Sequence, residues 1–364
     1  MKRGLICFII LLAVTGCWDQ RLLKDYTLVK AISIDITEDK RYITTVSAPL
    51  PGGEGEGDQV VSTEGYTMGE NKILLNRKMP EQVDDSKLKV LLLGERAVEE
   101  DIFPYLDRFY RNPQSALDAR VAVVKDKAQK ALFFSNKHKP ETPDYISELM
   151  ESGEVTTLIP KLNIQFICPL LFDEGHDLLL PSLRVTAEDI EIDGLTMFNG
   201  RKKAGELTSE ESTLFLMWNN QTGKEVEFTF KVGDQNERNL NFIHVSVMEM
   251  TRDLDVEVDD STQEVDVFMN MELMVNVDEY PPDDLLEREV TASLNQLMEQ
   301  QLEEQSKELF DKMKEVNCDG LGIGRKIIAN DYSFWESVEW SETFPKVNFH
   351  PEVTVEIEQT GIVN

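Results

Sequence analysis

Cys17 is the residue whose setting specifies a reaction. It follows Val14-Thr15-Gly16, and before these come a basic start, Met1-Lys2-Arg3, and an apolar run from Leu5 to Val14. A short basic segment, about ten apolar residues and small side chains just before a cysteine form the lipobox layout of a bacterial export signal. In that chemistry the thiol takes a diacylglyceryl group, the bond between Gly16 and Cys17 is cut, and Cys17 becomes the new N-terminus. The apolar run is too short to cross a bilayer of about 30 Å as a helix. The expectation is therefore a signal peptide over 1–16 that is removed, and a lipid attachment at Cys17 that holds the chain to the extracytoplasmic face of a membrane. Two acyl chains suffice for this, since burial contributes about 0.8 kcal/mol per CH₂ and one chain alone binds marginally.

Other chemistry is sparse. His138, His176, His244 and His350 lack metal-ligand spacing, and neither G-x-S-x-G nor H-E-x-x-H occurs. Acidic pairs such as Asp259-Asp260 are expected by chance among 68 acidic residues. Asp319-Gly320-Leu321-Gly322-Ile323-Gly324 is rich in glycine like a phosphate loop, but it lacks the Lys-Ser/Thr of one and follows a helix where a dinucleotide fingerprint follows a strand. It reads as a glycine-stopped helix leading into another. Trp335, Trp340 and Phe344 fit either a ligand or partner patch or a core role, and their size favours the core. These observations predict no catalytic residue, no cofactor and no metal site, and a rigid adaptor over 17–364 that works through its surface, with no convergent polar set to orient a small ligand. Cys7 leaves with the signal; Cys168 and Cys318, 150 residues apart, read as buried free thiols.

With 37 basic against 68 acidic residues the chain carries −31, and without Lys2 and Arg3 the balance is 35 against 68, or −33. Such a surface repels nucleic acid and anionic lipid, so no nucleic-acid partner is expected and the lipid, not a basic patch, must be the anchor. About 348 mature residues at 41% apolar composition can fill two or three domains.

Periodicity sets the elements that fill them. Leu28, Ile32, Ile34 and Ile36 alternate as a strand that pairs with Tyr42–Ala48 as a hairpin, and Pro51 to Asp58 is a flexible acidic glycine loop. Helices over Gly69–Met79 and Asp101–Tyr110 alternate with buried strands at Val90–Leu93 and Ala119–Val124, which predicts a mixed α/β layer. A short helix, Asp144–Met150, should end at Gly153, and Ile190–Leu207 reads as a hairpin followed by a helix from a Thr208 cap to Trp218. Alternation then dominates, from Val226 to Val258 and without a miss from Val265 to Val277. A helix over 283–316 carries one apolar stripe, interrupted at Ser306, and should cover this sheet. Val353, Val355 and Ile357 form a last strand, expected inside the sheet and antiparallel to a neighbour. The fold class is α+β and multi-domain, with mixed and antiparallel sheets covered by helices. The divisions are 17–140 as an N-terminal α/β domain, 141–222 as a middle domain, and 223–364 as a C-terminal α+β domain with the long helix.

Particular motifs resemble one known family. Gly16-Cys17-Trp18-Asp19, Ser62-Thr63-Glu64-Gly65-Tyr66-Thr67-Met68, Leu93-Gly94-Glu95-Arg96-Ala97 and Leu106 to Pro113 are similar, in this order, to the N-terminal half of the Ger(x)C spore-germination lipoproteins. Asp193 to Ser212 and the run from Asp319 through Trp335, Trp340 and Phe344-Pro345 resemble the C-terminal half. The resemblance implies a non-catalytic, lipid-anchored subunit of a nutrient germinant receptor, beside membrane-embedded A- and B-type partner subunits in the spore inner membrane. The alternatives are a stand-alone solute-binding extracytoplasmic lipoprotein, against which no paired doubly wound lobes are visible, and an extracytoplasmic hydrolase, against which no nucleophile constellation is visible.

If the lipid is the anchor, Cys17→Ala should release the chain from membranes when its partners are absent. Fatty-acid labelling followed by fractionation measures this, and a Cys17→Ala chain that stays with the membrane unaided refutes it.

Overall fold

The computed structural model describes residues 23–50, 57–134, 141–233 and 238–359. Cys17, the signal 1–16, most of the expected acidic loop and His138 lie outside the described residues.

Ten strands among the described residues build the first half. A two-stranded pair, β1 (Tyr26–Leu28) with β5 (Gln82–Asp84), stands beside an eight-stranded sheet of β2 (Ala31–Ile36), β3 (Tyr42–Pro49), β4 (Asp58–Gly65), β6 (Val90–Gly94), β7 (Arg120–Val124), β8 (Leu179–Val185), β9 (Ile190–Asn199) and β10 (Lys202–Leu207). Its order is β10-β9-β8-β7-β6-β2-β3-β4, with a parallel block β8-β7-β6-β2 flanked by antiparallel hairpins. The predicted strand from Leu28 is broken at Val29-Lys30, so Leu28 pairs in the small sheet. The eight-stranded sheet is continuous across residue 140, taking β8 to β10 from beyond it.

The central strands β6 and β7 are apolar without interruption over Val90–Leu93 and Val121–Val124 because both faces of the sheet are covered, as parallel sheets require. Val90, Leu92, Ala122 and Val124 enter one core, while Leu91, Leu93, Val121 and Val123 enter the other. One core is closed by the helices Met68–Asn76, Phe103–Arg111 and Ile164–Leu170. The other lies under the helix Thr142–Val155 and runs on into the second half. That helix is longer than its expected span, and Gly153 lies inside it. A Cβ there would stand 2.3 Å from Cδ1 of Ile192, so this glycine permits close packing and does not end the helix.

The second half is a four-stranded sheet in the order β11 (Glu227–Lys231), β12 (Phe242–Asp259), β13 (Glu264–Glu279), β14 (Asn348–Gln359). The unbroken alternation of β13 puts Val265, Val267, Met269, Met271, Leu273 and Val275 on the core face. β14 differs from expectation: it is an edge strand and runs parallel to β13. The reason is the connection. A hairpin returns the chain antiparallel, whereas the long helix between β13 and β14 is a crossover that restores the direction.

The long helix spans Arg288–Glu315, about 42 Å at ~1.5 Å per residue. It starts later than the predicted 283, because Asp283 and Asp284 both take the left-handed conformation, φ 62° and 62°. It packs on β14 and closes that strand's outer edge. Glu303 Oε1 accepts from Val353 N at 3.2 Å, Glu299 Oε1 accepts from Val355 N at 3.0 Å, and Pro351 has no N–H to leave bare.

Ser306, which breaks the apolar stripe, is fully buried. Its Oγ accepts from Trp218 Nε1 at 2.8 Å and donates to Leu302 O at 2.6 Å. Ser306→Leu, which would complete the stripe, should therefore destabilise the chain by roughly 1–3 kcal/mol, because the indole N–H loses its buried acceptor and the added carbons crowd a filled core. Urea unfolding followed by tryptophan fluorescence measures the change; a leucine variant as stable as the parent refutes the role given to this bond.

Candidate functional site

The histidines, the acidic pair and the cysteines that sequence reasoning singled out are scattered in the fold. His176 sits beside the loop after the long helix, His244 pairs across to Thr229 on β11, and His350 on β14 bonds Asp266 Oδ1 through Nε2 at 2.8 Å. Asp259 serves the β12–β13 turn, accepting from Ser261 N and Oγ. Cys168 is half-buried and Cys318 fully buried, and both are free thiols. Among the described residues no three His, Cys, Asp or Glu stand close enough to hold a metal ion together, and no helix is long and apolar enough to cross a membrane.

What the fold brings together is the glycine-rich segment 319–324 and the loop before β8. The long helix is stopped not by a glycine but by Asn317, at φ 53°; Gly322, at φ 68°, stands at the cap of the next helix, Ile323–Asn330. Asp319, 2% exposed, reaches forward to that helix and accepts from Ile323 N at 2.9 Å and Gly324 N at 2.8 Å. It also accepts from Trp340 Nε1 at 3.1 Å, which fixes the indole. Asp177 answers from the other side: Oδ2 accepts from Asp319 N at 2.8 Å, Oδ1 accepts from Gly200 N at 2.7 Å, and Asp177 N donates to Asp319 O at 2.8 Å.

The two segments touch through backbone. Arg325 N donates to Gly175 O at 2.9 Å, and His176 Nε2 meets Gly320 O at 3.0 Å. A Cβ on Gly175 would lie 2.4 Å from Arg325 N, so only glycine permits this approach. Arg325 pairs with Asp173 across the same seam.

Burial sets the electrostatics. Removal from water drives the Asp319 carboxyl up to about 7, although backbone N–H groups and the indole favour the anion; the Asp177 charge adds to the rise. Asp177 is also raised, first by burial, with the Gly200 and Asp319 N–H groups pulling the other way. Burial lowers His176, with Gly320 O opposing.

Beside this pair a cleft of about 450 Å³ opens. Trp335, Trp340 and Phe344 line it, with rings 5.6 Å and 5.8 Å apart in succession. Asp173, Glu174, Asp177, Asp319 and Glu339 supply its carboxylates. The core role read for the aromatics holds for Trp340 and Phe344, which are buried, but their rings also form this wall. A convergent polar set thus exists where the sequence showed none. Its parts lie over 140 residues apart, and no spacing rule connects them. A second cleft, of about 530 Å³, lies at the carboxyl ends of β2 and β6, where Asp35 is occupied in accepting from Ala128 N and Gln129 N.

The family described as "Spore germination protein N-terminal domain" matches residues 19–185, and "Spore germination B3/GerAC like, C-terminal" matches residues 193–361. The chain belongs to the GerAC-like spore germination family. Among its GerAC-like relatives, Spore germination protein GerQC of Bacillus cereus is 21% identical over 366 residues, spanning all of this chain and 99% of the relative. Spore germination protein KC of Bacillus subtilis (strain 168) is 21% identical over 404 residues, spanning all of this chain and 97% of that one. The crystal structure of the GerBC protein shares the fold, with a TM-score of 0.61 at 16% identity over 93% of this chain and 99% of that one. In this GerAC-like chain the motif Asp193 to Ser212 forms β9, β10 and the start of the helix Ser209–Trp218, and the motif from Asp319 to Pro345 forms the buried carboxyl pair and the aromatic wall.

The raised carboxyls give a signed pH dependence. A pKa raised in the folded state above its ordinary 3.8 means that folding retains a proton the unfolded chain releases; this contribution is complete below the ordinary value and is lost as pH rises through about 7. His176, lowered from 6.5, acts in the opposite sense as pH falls. Asp319→Asn should be less stable throughout, since its amide nitrogen cannot accept from Gly324 N or Trp340 Nε1, yet its stability should change less with pH between about 5 and about 8 than the parent's. Thermal unfolding of both chains across that range cancels His176 in the difference; equal slopes refute the assignment.

Proposed function

We propose that this GerAC-like chain is the non-catalytic, lipid-anchored subunit of a nutrient germinant receptor, held by Cys17 to the extracytoplasmic face of the spore inner membrane and assembled with A- and B-type membrane subunits. The observation that carries the reading is the match to both halves of the family in order, over 19–185 and 193–361, with the relatives covered over nearly their full length. The side-chain inventory agrees with a binding role. The buried acids Asp177 and Asp319 spend their acceptors on backbone N–H groups and an indole, and no serine or cysteine is hydrogen-bonded to a histidine among the described residues. A tether supports such a role physically, because it holds the chain at high effective concentration beside membrane partners and lets individually weak contacts suffice.

A solute-binding lipoprotein of two facing lobes fits less well, since the first half is one mixed eight-stranded sheet whose core continues into the second half. Purification of a tagged chain from detergent-solubilised spore membranes should retain two membrane-embedded subunits, and spores that lack the chain should lose the response to the nutrient that receptor serves. A chain that purifies alone, from spores whose germination is unchanged by its deletion, overturns the reading.

A further inference from the structure

The cleft at the seam has an unbalanced lining. Five carboxylates face it and no lysine, arginine or histidine is among its lining residues, while three aromatic rings form its wall. Asp173 is neutralised by Arg325, and Asp177 and Asp319 are saturated by internal donors. Glu174 and Glu339 are different: both are exposed, and neither has a cationic partner among the described residues. The rings are held, not loose. Trp340 is 9% exposed with its N–H on Asp319, Trp335 is half-buried against it with the planes inclined by 45°, and Phe344 follows at 57°.

Inclined aromatic faces with carboxylates at the rim attract a positive charge that carries apolar substituents, because the ring quadrupole favours the cation and the ring area favours its carbon. A bare metal ion gains little from indole walls. The volume, about 450 Å³, falls within the range of pockets that enclose small ligands.

We propose that this cleft binds an organic cation, an alkylammonium or guanidinium group, with Trp335 and Trp340 as the face it stacks on and Glu174 and Glu339 as its counter-charges. The group arrives either as a free amine or as a lysine or arginine side chain of another polypeptide. The inference goes beyond the receptor reading and does not depend on it, since it concerns the isolated chain: a chain found without membrane subunits would leave it standing.

The test uses the full-length chain purified in detergent, titrated with tetramethylammonium, arginine amide and an arginine-containing tripeptide blocked at both ends, with calcium and potassium chlorides as controls. Tryptophan fluorescence and calorimetry report binding. Saturable binding of the organic cations is expected, weakened about fivefold in Trp335→Leu and by a similar factor in the double variant Glu174→Gln with Glu339→Gln, whose exposed side chains leave folding intact. Glu272→Gln, on the far sheet, should bind as the parent does. A tripeptide that binds more tightly than arginine amide assigns the cation to a polypeptide, and the reverse order assigns it to a free amine. Absence of saturable binding by every organic cation, a response to calcium alone, or equal affinity in the double variant overturns the proposal.

Discussion

The fold depends on the burial of one indole. Trp218, at the end of the helix Ser209–Trp218, is inaccessible to solvent and is gripped from three directions. Its Nε1 donates to Ser306 on the long helix, its carbonyl accepts from Arg252 Nε on β12 at 2.6 Å, and its ring meets Phe310 at 6.0 Å. The other end of the same helix is fixed as firmly, by a reciprocal cap between Thr208 and Glu211 and by Lys312, which bonds both Glu211 oxygens. This helix lies where the face of the eight-stranded sheet and the inner face of the four-stranded sheet merge into one apolar cluster. Neither half can bury that surface alone.

This explains where the seam between the two family segments falls. It lies between residues 185 and 193, inside the β8–β9 hairpin, so β9 and β10 from the C-terminal segment complete a sheet begun by the N-terminal one. Two sequence units are thus one packed body at this junction. The free edge of the second sheet meets a different constraint. Twelve residues of exposed edge would recruit another strand, and here the glutamates of the long helix and Pro351 remove the donors that such pairing needs. The open face of that sheet carries Asp253, Asp255, Glu257, Glu272, Glu352 and Glu356, whose like charges oppose stacking on a second copy.

Local physics was legible in the sequence. Alternation located β13, the capping pattern located the helix after Thr208, and continuous apolar runs located β6 and β7, because each signal is contained within about ten residues. Pairing partners were legible only for adjacent hairpins, β2 with β3 and β9 with β10. Val353, Val355 and Ile357 alternate equally well in an inner antiparallel strand or an outer parallel one, and only the crossover decides. Ser306 and Gly153 read as an interruption and a stop because their partners, Trp218 and Ile192, come from distant chain. The seam site failed to show for the same reason, since Asp177 and Asp319 meet only through the close approach of Gly175 to Gly324.

That meeting couples the cleft to the fold. Asp319 sits behind the indole of Trp340, and its carboxyl titrates near neutrality because burial works against its donors. A cation seated on the far side of the ring would favour the charged form of Asp319. By reciprocity, ionisation of Asp319 must then favour the cation by the same factor. Ionised Asp319 in turn holds Ile323, Gly324 and Trp340 by stronger, charge-assisted bonds. Occupancy of the cleft would therefore tighten the start of the helix Ile323–Asn330 and its contact with Gly175. The first half of the chain would receive that change through backbone, without any flexible side chain in between.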